Sequence, residues 1–541
     1  MNSTLFQTTS GRRVPPADAR NSHGAPAYRF DARHALAQYA ATGCLNDTYY
    51  ATAEMQLDAV LGLCAEVPPA FIAKTALWTR QKGFMKDLPA LLAALLTVED
   101  PALAERVFDR VIDDGKMVRN FVQVLRSGAV GRKSLGSMPR RLVRRWLESR
   151  TDEQLFRAQV GASPSLSDVV KLAHPRPTTA SRRALYGWLL GRPFDLDAIP
   201  DVVRRYEAFR ADPSGEPPDV PFQLLTALPL DKVAWRHIAL RATWQQLRMN
   251  LNTFERHGVF DERVGGGRLA AKLRDALGLA SPAKKARRGV VDVLAHKLRD
   301  PVEVARARVL PYQLLVAYLA SKGRVPHAIS DALHDAMEHA TANVPSIEGK
   351  VYVCPDVSGS MHSPVTGHRA GATTAARCID VAALVAASVL RKNPDAEVIP
   401  FEHDVVDVKL TRRDSVMTNA EKLARIGGGG TSCSAPLQKL NREHARGDLV
   451  IFVSDNESWV DARGSSGTAM TREWEAFKVR NPRAKLVCID IQPNRTTQAK
   501  ESRDILNVGG FSDAVFEVVS AFAKGGEGAK SWVEVIEQVQ L

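Results

Sequence analysis

Three oxygen-bearing side chains come at alternate positions directly after an apolar stretch of the chain. Residues 351–354 are strand-forming, and Asp356, Ser358 and Ser360 follow them in a glycine-containing turn. Carboxylate and hydroxyl oxygens on a tight loop suit a hard divalent cation, which takes several oxygen ligands at short range. The spacing therefore predicts a metal site at the end of a buried strand.

Two later segments supply further oxygens for the same site. Thr431 follows a run of glycines, residues 427–430, and Asp455 follows a second apolar stretch, residues 449–454. Mg²⁺ suits this donor set because it keeps several of its waters and needs few carboxylates, whereas Ca²⁺ requires more acids. We expect the hydroxyls to contact Mg²⁺, or another divalent cation, directly. The two aspartates are expected to hold the ion directly or through water.

The elements around these residues predict the fold that positions them. From residue 346 onward, short apolar segments of strand length alternate with segments of helix length. Such alternation indicates a doubly wound parallel sheet covered by helices on both faces, with its ligand site at the carboxyl ends of the strands. Asp356 and Asp455 both follow such an end, so the motif agrees with an α/β domain over residues 346–541.

The first part of the chain has a different, almost entirely helical pattern. Over residues 31–345, alanine- and leucine-rich segments carry apolar positions three and four residues apart and are interrupted by Pro or Gly. Many short helices without strands indicate stacked helical hairpins, an α-solenoid. Residues 1–30 are polar and rich in Pro, Gly and Arg, and we expect them to form a flexible arm. The predicted helices include residues 69–81, 101–113, 140–148 and 244–257.

The positive charge of the chain is confined to the helical part. Residues 1–345 hold 49 Lys and Arg against 35 Asp and Glu, a net charge of +14, whereas residues 346–541 hold 24 against 25, a net charge of −1. A basic excess in one domain indicates a polyanion partner that binds through its phosphates. A surface charge that only keeps the protein soluble is the alternative.

The composition excludes several classes of protein. Hydrophobic residues make up 45% and charged residues 25% of the chain, which is typical of a globular protein. The longest apolar runs are too short to cross a bilayer, and residues 1–10 lack the apolar segment of a secretory signal. The six cysteines lack C-x-x-C spacing, so we expect neither a zinc site nor a disulfide framework. A cytoplasmic protein is expected.

Two basic clusters in the helical part are candidates for phosphate contacts. A helix that begins at Pro139 carries two arginine pairs with few acids nearby in sequence, and arginine forks suit phosphates. A second short segment, residues 165–177, displays a lysine, a histidine and an arginine. The candidates are Arg140, Arg141, Arg144, Arg145, Lys171, His174 and Arg176.

Each of these candidates has a structural alternative that the sequence leaves open. The arginines could form an ordinary solvated helix face. His174 could stack on an unpaired base, or it could cap a helix before Pro175. A short basic run, residues 284–288, could contact phosphates or belong to an exposed linker.

A basic helical part followed by a D-V-S-G-S-M segment resembles the Ro 60 kDa autoantigen family, the TROVE-module proteins that include bacterial Ro orthologues. The order D-x-S-x-S, then T, then D is that of a metal-ion-dependent adhesion site in a von Willebrand factor A-like domain. Residues 429–436 and 454–458 are similar to the family's G-G-T-D-C-S-x-P and T-D-N-E-T. In the helical part, residues 136–146 and 168–177 resemble its G-R-x-x-R-K-x-x-x-x-W and D-L-L-R-L-S-H-x-K-P.

The resemblance implies a ring of HEAT-like helical repeats, closed by the A-type domain, in a monomer that binds RNA. Members of the family bind small structured Y RNAs on the outer surface and admit single-stranded ends of misfolded RNAs. They act in RNA quality control, and bacterial members work with an exoribonuclease. By this resemblance His174 contacts Y RNA, and Arg157 lies near the first basic position of the same surface. Gly161 and Ala162 stand where the family usually shows an Arg-Asn pair.

The leading hypothesis is a non-enzymatic RNA-binding scaffold in which residues 31–345 bind RNA and residues 346–541 carry Mg²⁺. The alternative is a metal-dependent protein-interaction module for which RNA is not the main ligand. A metal hydrolase is a third hypothesis, and it would need a general base near the bound water. The candidate bases are Asp380, Glu402, His403 and Glu457.

Overall fold

The structure is a computed structural model in which two compact units are formed. One unit lies within Met1–Thr179, Tyr186–Pro193 and Asn343–Leu541, and the other within Ala180–Leu185 and Phe194–Ala342. Residues 1–13 of the expected arm, the basic run 284–288 and Ala162 lie outside the described residues. The described residues are 14–42, 45–47, 51–161, 163–213, 216–261, 289–307, 309, 311–341, 344, 346–365, 376–455, 457–458, 467–492, 494–510, 513–524 and 531–541.

Between residues 32 and 340 the regular elements of the described chain are helices, as the apolar spacing predicts. The first unit contains α1 (Ala32–Thr42), α2 (Ala53–Ala65), α3 (Pro69–Gln81), α4 (Asp87–Glu99), α5 (Pro101–Val111), α6 (Gly115–Ser127), α7 (Ser137–Glu148), α8 (Asp152–Ala158) and α9 (Leu166–Ala173). Helix α10 (Ala180–Leu190) contributes residues to both units. The second unit contains α11 (Asp201–Ala211), α12 (Phe222–Thr226), α13 (Lys232–Arg241), α14 (Trp244–Met249), α15 (Leu251–Arg256), α16 (Val290–Arg299), α17 (Pro301–Ala307), α18 (Pro311–Ser321) and α19 (His327–Ala340).

Side chains at the helix ends explain where several of these helices begin and stop. Asp100 caps α5 by accepting from the Leu103 backbone N–H, and Asp114 caps α6 by accepting from that of Met117. Gly128 ends α6 in the left-handed region, with φ +90°. Helix α4 packs against α3, α5 and α6, so neighbouring helices in the chain are neighbours in space.

One predicted helix is divided into two. Residues 244–257 form α14 and α15, which meet at Asn250, where φ is −115° and ψ is 15°. The Asn250 side chain donates to the Gln246 carbonyl at 2.8 Å, and this local bond competes with a continuous helix. Helix α7 also begins earlier than predicted, at Ser137 instead of Pro139.

Strands in the described residues form two sheets. They are, in chain order, β1 (Ala19–Arg20), β2 (Pro26–Arg29), β3 (Val351–Pro355), β4 (Glu397–Val398), β5 (Leu449–Ser454), β6 (Lys485–Asp490), β7 (Thr496–Thr497) and β8 (Ile505–Gly509). The larger sheet has the order β4-β3-β5-β6-β8, and all its pairings are parallel. Strands β3 and β5 are buried along their whole length, which fits their continuous apolar sequences. The predicted parallel sheet is confirmed.

The register of the two central strands brings their carboxyl ends together. Pro355 of β3 is the partner of Val453 of β5, and the next backbone N–H, that of Asp356, donates to the Val453 carbonyl at 2.9 Å. Helices accompany the sheet: α20 (Cys378–Lys392), α21 (Val416–Ala424), α22 (Ala435–Arg442), α23 (Ala469–Arg480), α24 (Asp513–Ala523) and α25 (Trp532–Glu537). In the described part of the chain, none of the helices is long and apolar enough to cross a membrane.

Residues 14–30 correct the expectation of a flexible N-terminal arm. Strands β1 and β2 form an antiparallel hairpin, and β2 also pairs with β7 of the C-terminal part. Ala25, Ala27 and Tyr28 are buried in this hairpin. The polar composition was misleading because three small or aromatic side chains and backbone pairing with β7 suffice to hold so short a segment in place.

Candidate functional sites

The loop after β3 is organised around the buried carboxylate of Asp356. One carboxylate oxygen, Oδ1, accepts from the Ser358 backbone N–H at 2.8 Å, and the other, Oδ2, accepts from the Ser454 hydroxyl at 2.7 Å. The Ser358 and Ser360 hydroxyl oxygens lie 3.3 Å apart. All of these side chains are buried, so the predicted aspartate and both serines share one small polar pocket.

Asp455 adds a second buried carboxylate from the end of the adjacent strand. It is 1% exposed, and neither carboxylate oxygen accepts a hydrogen bond of normal geometry from the described residues. Burial, followed by the nearby charge of Asp356, raises the pKa of Asp455 to about 8, and the Ser360 hydroxyl lowers it in part. Burial also raises the pKa of Asp356, against the hydrogen bonds from Ser358 and Ser454.

These features fit a divalent cation. Two buried carboxylates side by side are unfavourable without positive charge, and the bare oxygens of Asp455 have room for a further partner. No cluster of three or more His, Cys, Asp or Glu side chains that could hold a metal ion occurs in the described residues. A cation here would therefore depend on hydroxyl ligands as well as the two acids, which is the donor set that suits Mg²⁺.

The glycine loop before Thr431 lies against the Asp356 loop. The Gly359 backbone N–H donates to the Gly429 carbonyl at 3.0 Å, and Thr431 is 2% exposed. Gly427 has a φ of +123°, and a Cβ at this position would lie 2.1 Å from the Val357 carbonyl oxygen. Glycine is required there because the two loops approach so closely. The metal assignment for Asp356, Ser358, Ser360, Thr431 and Asp455 stays a prediction.

The candidate general bases all have structural partners. Asp380 binds the Arg377 guanidinium at 2.7 Å at the start of α20. Glu402 accepts from the Gly429 backbone N–H at 2.8 Å and also contacts His403 at 3.0 Å. Glu457 accepts from the backbone and hydroxyl of Ser22, as described below. Each acid thus fixes a helix start or a loop.

The sequence did not single out Ser454 as part of the candidate metal site. Its hydroxyl bonds directly to Asp356, although the two residues are 98 positions apart. The only signal in the sequence is its place at the end of β5, immediately before Asp455. The pairing of β3 with β5 is what makes it a neighbour of Asp356.

On α7, two of the four predicted arginines are neutralised by α5. The Arg141 guanidinium lies 3.0 Å from Glu105, and that of Arg145 lies 2.9 Å from Asp109 and 3.6 Å from Glu105. The expectation that this helix has few acids nearby is therefore wrong for Arg141 and Arg145. Sequence spacing reveals only acids close in the chain, and these come from the neighbouring helix.

Arg144 joins the two predicted basic clusters. Its Nε donates to the Ala173 carbonyl at 2.6 Å, and α7 packs against α9. Ala173 directly precedes His174, so the end of α9 lies beside Arg144. The exposed side chains Arg140, Lys171 and Arg176 have no carboxylate within 4.0 Å among the described residues.

His174 and Arg157 have local structural roles as well. His174 is exposed, ends α9 with φ 51° and ψ 55°, and donates its backbone N–H to the Val170 carbonyl at 3.0 Å. The capping alternative for its backbone is therefore confirmed, while its ring remains exposed. Arg157 pairs with Glu153 on α8 at 2.9 Å. His174 thus combines exposure with a local interaction, whereas Arg157 is half-buried and paired.

Arg126 is a basic neighbour that the sequence did not indicate. It is exposed in the last turn of α6. Hydrogen bonds from Ser165 lower the pKa of Asp168, and the charges of Lys171 and Arg126 lower it further. Arg126 therefore lies in the electrostatic range of α9, although 42 residues separate it from Asp168.

The loop before α9 explains one departure from the pattern of the resembled family. Gly161 has a φ of +122°, and a Cβ there would lie 2.6 Å from the Arg119 guanidinium. Arg119 is 6% exposed and donates to the Ala158 carbonyl at 2.8 Å. An arginine at position 161 would collide with Arg119, so the loop is packed for glycine at this position.

Comparisons with known proteins agree with this architecture. Residues 350–523 match the family model described as the Ro60 vWA domain. The protein named RNA-binding protein RO60 of Deinococcus radiodurans is 25% identical over 554 residues, which cover 95% of this chain and 96% of the relative. The chain is thus similar to a Ro60 protein along nearly its whole length. A second Ro60 relative, RNA-binding protein RO60 of Caenorhabditis elegans, is 24% identical over 246 residues, 43% of this chain and 37% of that protein.

The fold of this chain is also similar to that of a solved structure. The crystal structure of the Deinococcus radiodurans RO (RSR) protein matches with a TM-score of 0.58 and 22% identity, over 91% of this chain and 99% of that chain. The match includes both the helical part and the sheet. A helical N-terminal part followed by a von Willebrand factor A-like domain is thereby confirmed.

Proposed function

We propose that this protein is a member of the Ro60 family and that it binds RNA through the exposed face formed by α7 and α9. The observation that carries the proposal is the Arg144 bond to the Ala173 carbonyl, which joins two basic clusters that are far apart in sequence. A relative along nearly the whole chain is named an RNA-binding protein. We define the basic face as Arg126, Arg140, Arg144, Lys171, His174 and Arg176.

The chemistry of the basic face favours a phosphate chain. Arg140, Lys171 and Arg176 are exposed and have no carboxylate within 4.0 Å among the described residues, so their charges are available to a ligand. Each phosphate that they neutralise would release counterions, so affinity would fall steeply with salt. The exposed imidazole of His174 could stack on an unpaired base beside them.

The RNA ligands proposed here are small structured RNAs, similar to Y RNAs, and single-stranded ends of misfolded RNAs. The protein would act in RNA quality control or processing in the cytoplasm, as a monomer and with an exoribonuclease as a partner. Support comes from the family alone, since nothing in the basic face selects one RNA. The side-chain packing at Gly161 argues against an arginine contact at that position.

We further propose that the buried site on the A-type domain holds Mg²⁺ or another divalent cation. Ser358, Ser360 and Thr431 would supply hydroxyl oxygens, and Asp356 and Asp455 would supply carboxylates. A bound ion would supply positive charge that could attract an acidic group of a partner. The bare oxygens of buried Asp455 support this proposal.

A binding role is favoured over catalysis. Asp380 is paired with Arg377, Glu402 holds the glycine loop and Glu457 accepts from Ser22. Each of these three acids therefore has contacts that fix a helix start or a loop, which supports a structural role. We propose that the protein is not an enzyme.

The test of RNA binding is to purify the full chain in mild salt, record absorbance at 260 and 280 nm, and sequence any nucleic acid that copurifies. Fluorescence anisotropy with a structured RNA and with a single-stranded RNA, each at several salt concentrations, then gives affinity and salt slope. We expect copurified small RNA and a steep slope. A protein free of nucleic acid, with weak and salt-insensitive binding, would instead favour the metal-dependent interaction module.

A further inference from the structure

The N-terminal hairpin contacts the loop that follows Asp455. The Asn21 side chain, in the turn of the hairpin, donates through Nδ2 to the Ser458 carbonyl at 2.6 Å. The backbone N–H and the hydroxyl of Ser22 donate to the Glu457 carboxylate at 3.0 and 3.1 Å. Three hydrogen bonds thus join the hairpin turn to the loop that carries this metal-ligand candidate.

The hairpin turn is itself a defined structure. Asn21 is 7% exposed, and its Oδ1 accepts from the backbone N–H groups of His23 and Ala25 at 3.1 and 2.9 Å. Both ends of the Asn21 amide are therefore used, one inside the turn and one on Ser458. Because the Asn21 side chain is held in one orientation, the position of the turn restricts the position of the Ser458 carbonyl.

Ser458 also contacts the loop that contains Thr431, another metal-ligand candidate. Its hydroxyl accepts from the Cys433 backbone N–H at 3.0 Å and lies 3.5 Å from the Thr431 carbonyl. One residue therefore contacts the hairpin through its carbonyl and the threonine loop through its hydroxyl. On the other side, the Asn494 side chain donates to the Asp455 carbonyl, just before strand β7.

Strand pairing fixes the hairpin next to this network. Tyr28 and Arg29 of β2 are the partners of Thr497 and Thr496 of β7, and the Phe30 backbone N–H donates to the Arg495 carbonyl at 3.0 Å. The hairpin thus contacts residues 495–497, just after Asn494, as well as residues 457–458. Asn21 of its turn lies 437 positions from Ser458 in sequence, yet it contacts the loop that follows a metal-ligand candidate.

We propose that the hairpin is a functional part of the metal site: Asn21 and Ser22 are positioning residues that hold Glu457 and Ser458 so that Asp455 and Thr431 stay arranged for a divalent cation. This inference rests on the proposed Mg²⁺ site. A preordered loop loses less freedom when the ion binds, so removing the hairpin bonds weakens binding. By linkage, the bound ion stabilises the docked hairpin by the same factor.

The test is calorimetric titration of Mg²⁺ into the full chain for the wild type, Asn21→Ala, Ser22→Ala and Arg20→Ala. We expect Mg²⁺ affinity to fall about tenfold in Asn21→Ala and about threefold in Ser22→Ala, because buried groups lose their donors. Arg20→Ala is the matched control: its guanidinium bonds only within the hairpin, to the Gly24 carbonyl at 2.5 Å, among the contacts described for it. Its affinity should equal that of the wild type.

Hydrogen exchange of the wild type gives a second readout that needs no variant. We expect amide exchange over residues 19–29 to slow when Mg²⁺ is added. The inference would be overturned if the Asn21 and Ser22 variants bound Mg²⁺ as tightly as the wild type, or if amide exchange in the hairpin were the same with and without the ion. Either result would still be compatible with the proposed metal site. A wild type that does not bind Mg²⁺ would overturn the proposed metal site itself.

Discussion

The loops of the proposed metal site, which we call the metal loops (residues 356–360, 427–431 and 454–455), and the basic face differ in how much of their chemistry depends on distant neighbours. In the metal loops, Asp356, Ser358 and Ser360 come from one short motif and are buried in one pocket. The charges of the basic face lie on separate helices, and beside this face α5 neutralises Arg141 and Arg145. A buried site restricts both the types and the spacing of its residues, so its motif can be recognised in the sequence. The electrostatic potential of a surface depends also on the charged residues of every element that packs beside it.

The largest effect should come from the metal loops. Asp356→Asn should weaken Mg²⁺ binding more than about 100-fold, because the variant lacks one of the two carboxylates. Water cannot replace a buried ligand oxygen without a cost in binding free energy. Mg²⁺ calorimetry measures this effect, and the exposed Asp395→Asn should bind normally. RNA affinity should be unchanged in both variants. A parallel loss of RNA binding would show that the two regions are not independent.

A second large effect should come from the basic face. Replacing Arg140, Arg144, Lys171 and Arg176 together with glutamine should weaken RNA binding about 100-fold at low salt and reduce the salt slope by about 0.7 for each phosphate that is no longer neutralised. Anisotropy across a salt series measures both quantities. The paired double variant Arg141→Gln with Arg145→Gln is the control, and its affinity should fall less than about threefold because those charges are already neutralised. Equal decreases in the two variants would contradict the distinction drawn between free and paired arginines.

A smaller gain should follow from removing the neutralising acids. Glu105→Gln combined with Asp109→Asn frees Arg141 and Arg145, so RNA affinity should rise about three- to fivefold in low salt, and the gain should disappear as salt screens it. The control is Glu397→Gln, which removes the partner of Lys350 in the A-type domain. An unchanged affinity would place α5 outside the RNA-binding surface.

The smallest effect concerns a single hydroxyl in the metal loops. Ser454→Ala removes one donor from buried Asp356 and should lower Mg²⁺ affinity about threefold. Ser454→Thr keeps a hydroxyl and should restore most of the affinity, and calorimetry of the pair separates the bond from packing. If the alanine variant binds Mg²⁺ like the wild type, the Ser454 bond has no part in arranging Asp356.

Most of the fold was predictable because it depends on local patterns. Helix α3 spans the predicted residues 69–81, and β5 spans the predicted residues 449–454. The parallel sheet followed from alternating apolar segments. The hairpin of β1 and β2 was not predictable, since its few apolar residues dock on β7, a strand far along the chain at Thr496–Thr497.

In the candidate sites, too, some features were predictable from the sequence and others were not. The sequence by itself determined the loop residues Asp356, Ser358, Ser360 and Asp455 and their place at strand ends, because strand and turn geometry act over a few residues. Only the tertiary structure decided that Ser454 bonds to Asp356. The packing of α5, α7 and α9 likewise decided which arginines are neutralised and which lie beside His174. Contacts between helices depend on how their buried faces fit together, and the spacing of residues within one helix does not reveal this.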